Sequence, residues 1–401
     1  MKLKIVIFYL VAILFALFLV MLGDLVVLER TPHAPREDFR IRGDTHYYTA
    51  MIEGDFTDAP PPFRYRVLVP FLGNLLPFSP LRDLKALSYG SLFLFYLLVL
   101  FLCRKTGGNY FSLFMAMCAV YATRVHLYNY HNPFLVDAFG LLSLSILMAA
   151  LLTGAFFTFC LFTVMGILAR ESTLFFVPTW LGAHKWKKGV IVIVLALVAF
   201  MIPRILLFPS PEVQSSILKN FHQVDRLHDL SPFFKSIILT WDYIWLLSIL
   251  GVILLPPKYF RPVALSYILL FIGALLSCFF ATDVRRMFAI LSPVMILGCS
   301  RLFRLLGQKS AFTAVLFLMI FSTRLLTVIP NLINPDINEI PGARVLSRSL
   351  VLAGFVLVVF SVYLLRSQLK VEIRGKIGLF KSLVNRGKSN VPIPEVEDDS
   401  I

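Results

Sequence analysis

The residues able to do chemistry are few, and they sit at breaks in long apolar runs. Asp44 lies in Gly43-Asp44-Thr45-His46-Tyr47-Tyr48. A carboxylate beside aromatic rings can take the proton of a hydroxyl once the two come within hydrogen-bond reach. Arg64 and Arg66 alternate with Phe63, Tyr65 and Val67. A guanidinium fork matches phosphate oxygens, and the neighbouring rings suit a lipid chain. Asp137 follows Pro133 inside an apolar run, while Arg170-Glu171 and Asp283 with Arg285 and Arg286 occupy short polar breaks. Ionisable groups near hydrocarbon are expensive and mark functional sites by default. Each has a plainer reading as well: Asp44 as the N-cap of a helix over 45–52, the two arginines as snorkelling side chains, and the rest as interhelical ion pairs.

Other chemistries find less support. His222, Asp225, Arg226, His228 and Asp229 are scattered through the segment 209–235 without the spacing of a zinc motif. With His126 and His131 they leave a divalent metal open but do not require one. The sequence holds no GxGxxG, P-loop or GxSxG elbow. The five cysteines lie in or beside apolar runs and form no CxxC, as buried free thiols do.

The elements that must carry these groups follow from composition. Of 401 residues, 58% are hydrophobic and only 15% charged, against about 25% charged in soluble domains. Mean hydropathy is +0.81. This excludes a soluble enzyme, a disordered chain and a disulfide scaffold. It predicts an all-α polytopic membrane protein with about twelve transmembrane helices, each needing about 20 apolar residues. The runs are Ile5–Leu22, Ala86–Cys103, Tyr110–Thr123, Pro133–Leu152, Ala155–Ala169, Thr173–Ala183, Gly189–Phe208, Ser236–Leu255, Val263–Ala281, Met287–Ser300, Ala311–Ile329 and Ser347–Leu365. Residues 155–169 and 173–183 are short enough to form a re-entrant pair instead. The polytopic part is 1–365, with outer loops at 24–85 and 209–235 and a basic tail at 366–401. Within the first loop, Val67–Phe78 is too short to span and is predicted to be an interfacial helix.

Charge orients the chain. With the N-terminus in the cytoplasm, every short inner segment carries Lys or Arg and none carries Asp or Glu: Arg104–Lys105, His184–Lys188, Pro256–Pro262 and Arg301–Lys309. All acids except Glu372, Glu395, Glu397, Asp398 and Asp399 then fall outside or within spans. The net charge of +15 belongs to inner loops and anionic lipid rather than to nucleic acid. Both termini are expected in the cytoplasm. The end Asp399-Ser400-Ile401 carries no retention signal, which points to a bacterial inner membrane.

The order of the motifs resembles the GT-C superfamily of integral-membrane glycosyltransferases over residues 1–300. The resemblance runs from Gly43-Asp44-Thr45-His46-Tyr47-Tyr48 through Phe63-Arg64-Tyr65-Arg66-Val67-Leu68-Val69-Pro70 and Asn132-Pro133-Phe134-Leu135-Val136-Asp137. It continues with Gly166-Ile167-Leu168-Ala169-Arg170-Glu171-Ser172, then Thr282-Asp283-Val284-Arg285-Arg286-Met287 followed by Pro293. Unlike many members, Asp44 has no acidic neighbour within two residues, and there is no soluble C-terminal domain. The resemblance implies a polyprenyl-phosphate sugar donor, a lipid or glycan acceptor, an extracytoplasmic site and inversion at the anomeric carbon. Asp44 would be the general base. Arg64 or Arg66, and Arg285 or Arg286, would hold the donor phosphate, and Glu171 would orient an arginine or a sugar hydroxyl. Tyr47, Tyr48, Asp137 and Asp283 complete the expected substrate-binding set, with no certain cofactor. The competing expectations are a lipid-linked oligosaccharide flippase, a polysaccharide polymerase or ligase, and a membrane scaffold without activity.

Overall fold

The structure, a computed structural model, describes residues 9–21, 44–57, 59–121, 136–207, 244–278, 284–307 and 361–378, with the single positions 241, 356 and 359. Among the described residues every regular element is a helix. In chain order they are α1 (Tyr9–Met21), α2 (Asp44–Ile52), α3 (Leu68–Asn74), α4 (Pro80–Lys105), α5 (Tyr110–Tyr121), α6 (Asp137–Thr153) and α7 (Phe156–Ala169). They continue with α8 (Thr179–Ala183), α9 (Trp186–Leu206), α10 (Ile244–Ile253), α11 (Pro257–Cys278), α12 (Val284–Phe288), α13 (Ser292–Leu306) and α14 over 361–378. Short 3-10 turns cover Phe63–Tyr65, Glu171–Phe176 and Ala289–Leu291.

Four described helices are long and apolar enough to cross a membrane: Pro80–Lys105, Trp186–Leu206, Pro257–Cys278 and the continuous stretch Arg286–Leu306. Each helix extends beyond its predicted apolar run at one end or both, because polar residues prolong a helix as well as apolar ones do. Pro80 opens α4 at its first position, where its missing N–H loses nothing. The run 311–329 lies outside the described residues, as does most of 347–365. The helix of the latter continues through 378, past the predicted boundary at Leu365.

Packing is built on α13. It lies against α10, α5 and α4, while α6 packs between α4 and α7. The crossing of α10 and α13 depends on small residues. A Cβ on Gly251 would overlap the backbone carbonyl of Gly298, and one on Gly298 would overlap Ser248. Close backbone approach of this kind is how helices associate where lipid is as apolar as leucine. The peripheral helices α9 and α11 show the reverse. Val194, Val198, Ile202, Ile205, Ile272 and Leu276 face outward, an apolar coat that a soluble monomer would not expose.

The two short runs traverse the same depth as α6, in opposite directions. Gly154 ends α6 in the left-handed region at φ 72°, the usual stop for a helix, and the chain returns as α7. After Arg170 the chain turns back through Glu171–Phe176 and α8 to His184, whose Nε2 lies 2.8 Å from the Leu151 carbonyl at the far end of α6. The 3-10 rise of about 2.0 Å per residue, longer than that of an α-helix, helps so few residues cover the distance.

The segment between α2 and α4 shares a small second core with the bundle. Tyr48, Met51, Ile52, Ala59, Val69 and Leu84 pack on Val136 and Ala169 at the ends of α6 and α7. On α3, Val69, Pro70 and Gly73 are buried, whereas Phe71 and the following Leu75 and Phe78 are exposed. That is the face an interfacial helix presents to lipid.

The bundle ends differ in charge. At one end lie the acids that open α2, α6 and the Glu171–Phe176 turn. At the other, cations reach free carbonyls at helix C-termini: Arg304 to Gly107, Arg301 to Leu254 at 2.9 Å, and Lys376 to Ile253 and Leu255. Both arrangements follow the helix dipole, which favours negative charge at N-termini and positive charge at C-termini.

Candidate functional site

The end that carries Asp44, Asp137 and Glu171 is assembled, together with several arginines, from residues far apart in the chain. Asp137 is the first residue of α6 and is almost wholly buried. Its Oδ1 faces the Arg170 guanidinium, and its Oδ2 accepts from Arg286 Nε. Arg170 reaches it because the backbone between α7 and the next turn is extended, with φ −158° and ψ 117°. Its stem then runs over Gly140, where an added Cβ would lie 3.2 Å from Arg170 Cδ.

Arg286, on α12, also donates from Nη1 to Asp44 Oδ2 at 2.6 Å. Asp44 opens α2, so its carboxylate sits where the helix dipole favours it. Its side chain is 28% exposed, against 2% for Asp137. The ionic chain Asp44–Arg286–Asp137–Arg170 therefore runs from an open edge to a dry interior.

A second chain joins it through the Arg170–Glu171 peptide. Arg66 donates to Glu171 through Nε at 2.8 Å and Nη2 at 2.5 Å, a two-pronged pair, and through Nη1 to the Tyr48 hydroxyl at 3.0 Å. The guanidinium lies 5.2 Å from the Phe63 ring centre, and Tyr47 stacks on the other rim of this group at 5.5 Å from Phe63. Arg64 is directed elsewhere. It is buried and donates to the carbonyls of Ala59 at 2.9 Å and Thr57 at 2.5 Å. The 3-10 turn over Phe63–Tyr65 separates the two arginines, since residues two apart in such a turn diverge widely.

Burial raises the Tyr48 hydroxyl above its ordinary value, despite the opposing charges of Arg66 and Arg286. Burial alone would raise Glu171 too, but Arg66 outweighs it and holds the carboxyl down at about 2. The folded value is below the ordinary 4.5, so this pair contributes full stability above pH 4.5 and loses it as pH falls towards 2. We expect the unfolding temperature of the detergent-solubilised protein to drop over that window. In Glu171→Gln the drop should be smaller, with a lower unfolding temperature at neutral pH, because Arg66 remains buried without its partner. A parallel pH curve for variant and wild type would contradict this.

Thus Asp44, Tyr47, Tyr48, Arg66, Asp137, Glu171 and Arg286 come together. Asp283 lies outside the described residues. Arg285 lies on α12, and its side chain is likewise outside them. Arg204, which the sequence reading passed over, belongs to the neighbourhood. Its guanidinium lies 4.5 Å from the Tyr65 ring centre and 3.4 Å from that of Phe200, and it donates to the Phe200 carbonyl at 2.7 Å. The available signal was a solitary arginine after Pro203 in the last turn of an apolar run. Among the described residues no three His, Cys, Asp or Glu side chains converge as metal ligands. The histidines of 209–235 and His126 and His131 lie outside them.

No family model, curated protein or solved structure matches the chain.

The arrangement has a definite chemical capacity. A partly exposed carboxylate stands next to a guanidinium at the rim of a bundle with an apolar coat. The guanidinium is held from behind by a buried acid. Such a rim suits a substrate with a hydroxyl to activate and an oxyanion to neutralise.

Proposed function

We propose that the chain is an integral-membrane glycosyltransferase that moves a sugar from a polyprenyl-phosphate donor to a hydroxyl of a lipid or glycan acceptor. The observation that carries the reading is the Asp44–Arg286 pair at the partly exposed edge of this charged cluster, backed by Asp137. Asp44 accepts the proton of the acceptor hydroxyl as the oxygen attacks the anomeric carbon. The bond from that carbon to the phosphate oxygen breaks on the opposite face, which inverts the centre. The polyprenyl phosphate leaves with the bonding electrons, and Arg286 and Arg66 stabilise its charge, an effect worth about 100- to 1000-fold in comparable sites. Glu171 holds Arg66 in plane, and Asp137 holds Arg286. Arg285 and Asp283 flank this position in the sequence, and Tyr47 offers a ring to the sugar or the lipid.

The basic end supports an orientation. Arg104, Arg301, Arg304 and Lys376 gather there, which favours a cytoplasmic face at that end and the reaction on the extracytoplasmic side. A flippase would use ionisable side chains along a path through the bilayer. Among the described residues, the pairs Arg66–Glu171, Arg170–Asp137, Arg286–Asp137 and Arg286–Asp44 lie at one end and Lys376–Glu372 at the other.

The test is direct. Purified protein incubated with radiolabelled polyprenyl-phosphate sugars and membrane lipid or glycan acceptors should consume at least one donor and release the polyprenyl phosphate. Failure of folded protein to consume any donor would reject the reading. Polymer products of increasing length would instead indicate a polymerase.

A further inference from the structure

We infer that Arg286 is exchanged between Asp44 and the phosphate of the incoming donor, so that donor binding frees the Asp44 carboxylate from its ion pair. This deepens the proposed function and rests on it. In the unliganded site Asp44 Oδ2 accepts from Arg286 at 2.6 Å, so the guanidinium takes up part of the charge of the carboxylate.

The two sides of the Arg286 guanidinium differ in what holds them. Nε faces Asp137, a buried carboxylate that Arg170 also engages. Nη1 faces Asp44, whose side chain is 28% exposed. The first contact is closed to solvent and doubly held, whereas the second ends on a partly exposed carboxylate. A phosphate monoanion or diester arriving from solvent or lipid meets the Nη1 side first. It offers several oxyanion acceptors to a planar donor fork, and competes with one carboxylate oxygen. Arg170 keeps Asp137 neutralised during the exchange, so Arg286 can shift towards phosphate without leaving a bare charge in the interior.

Asp44 is then freed beside the phosphate that displaced it. Its place on the first turn of α2 keeps it there, since α2 is anchored through Tyr48, Met51 and Ile52 in the small second core.

Geranyl phosphate tests this, because it carries a lipid phosphate and no sugar. Titrated into purified full-length protein in an uncharged detergent, it should bind wild type. Asp44→Asn removes the competitor and should bind it about two- to fivefold more tightly, the range of a partly exposed ion pair. Asp44→Ala should behave alike, so the result does not depend on one variant folding, and Asp44→Glu should stay near wild type. Unchanged or weaker binding in both neutral variants, with unfolding temperatures near wild type, would overturn the exchange while leaving donor consumption by wild type untouched. No binding by folded wild type would overturn the exchange and the phosphate role of Arg286 together.

Discussion

Asp44→Asn should lower the proposed sugar transfer by about 100- to 10,000-fold, the contribution of a well-placed general base. The substitution keeps the shape and one acceptor oxygen but removes the site that receives the proton. Folding should survive. The Asp44 side chain is 28% exposed, and ion pairs of that kind contribute about 1 kcal/mol or less. The measurement is donor consumption by purified wild type and variant, with thermal unfolding in the same detergent as the control. The distinctive signature combines lost turnover with retained or tightened binding of a lipid phosphate. Full activity in a folded Asp44→Asn protein would remove Asp44 from the mechanism and return it to a helix-terminal role.

The second large effect concerns stability. Asp137→Asn should destabilise the protein by about 3–5 kcal/mol, since it leaves Arg170 and Arg286 without their shared buried counter-charge. Poor yield or a sharply lowered unfolding temperature is the expected outcome. A double variant separates the two roles of Asp137. In Asp137→Leu with Arg170→Met the buried pair is replaced by apolar groups of similar bulk, a change often neutral for stability. Arg286 then keeps only Asp44 from this chain of ions and loses the support that aims it. Stability should return only in part, since Arg286 still lacks its buried counter-charge, and donor turnover should not return. If turnover also returns, Asp137 is a packing element with no part in positioning Arg286.

Several residues that stood out along the chain meet in space, and the reason is physical. An acid or arginine at a break in an apolar run lies at a helix end, and antiparallel helices bring alternate ends to the same side. Asp44, Asp137, Glu171 and Arg286 all satisfy that condition. The plainer alternative for Asp137, an interhelical ion pair, describes its contacts as well: it joins α6 to α12 and to the turn after α7. Arg64 and Arg66 looked equivalent, because alternation with aromatic residues cannot say which way a 3-10 turn will throw each side chain. One holds Glu171 and Tyr48, the other two loop carbonyls. Arg204 was hidden for a similar reason. A single cation near a helix end reads as a snorkelling side chain until the aromatic rings of a distant segment are found beside it.

The amino-acid sequence by itself determined the helical, apolar character of the chain, the polar breaks between its apolar runs and the sorting of acids from short basic segments. Those properties depend on the composition and period of neighbouring residues, so local reading suffices. The tertiary structure alone decided the partners. Asp44 meets Arg286 across 242 positions, Asp137 meets Arg286 across 149, and Arg66 meets Glu171 across 105. Such pairings depend on which small residues let helices approach, as at Gly251 and Gly298, and on the backbone angles of a few turns. Neither leaves a periodic signal in the chain, because a contact between distant residues is a property of packing and not of local propensity.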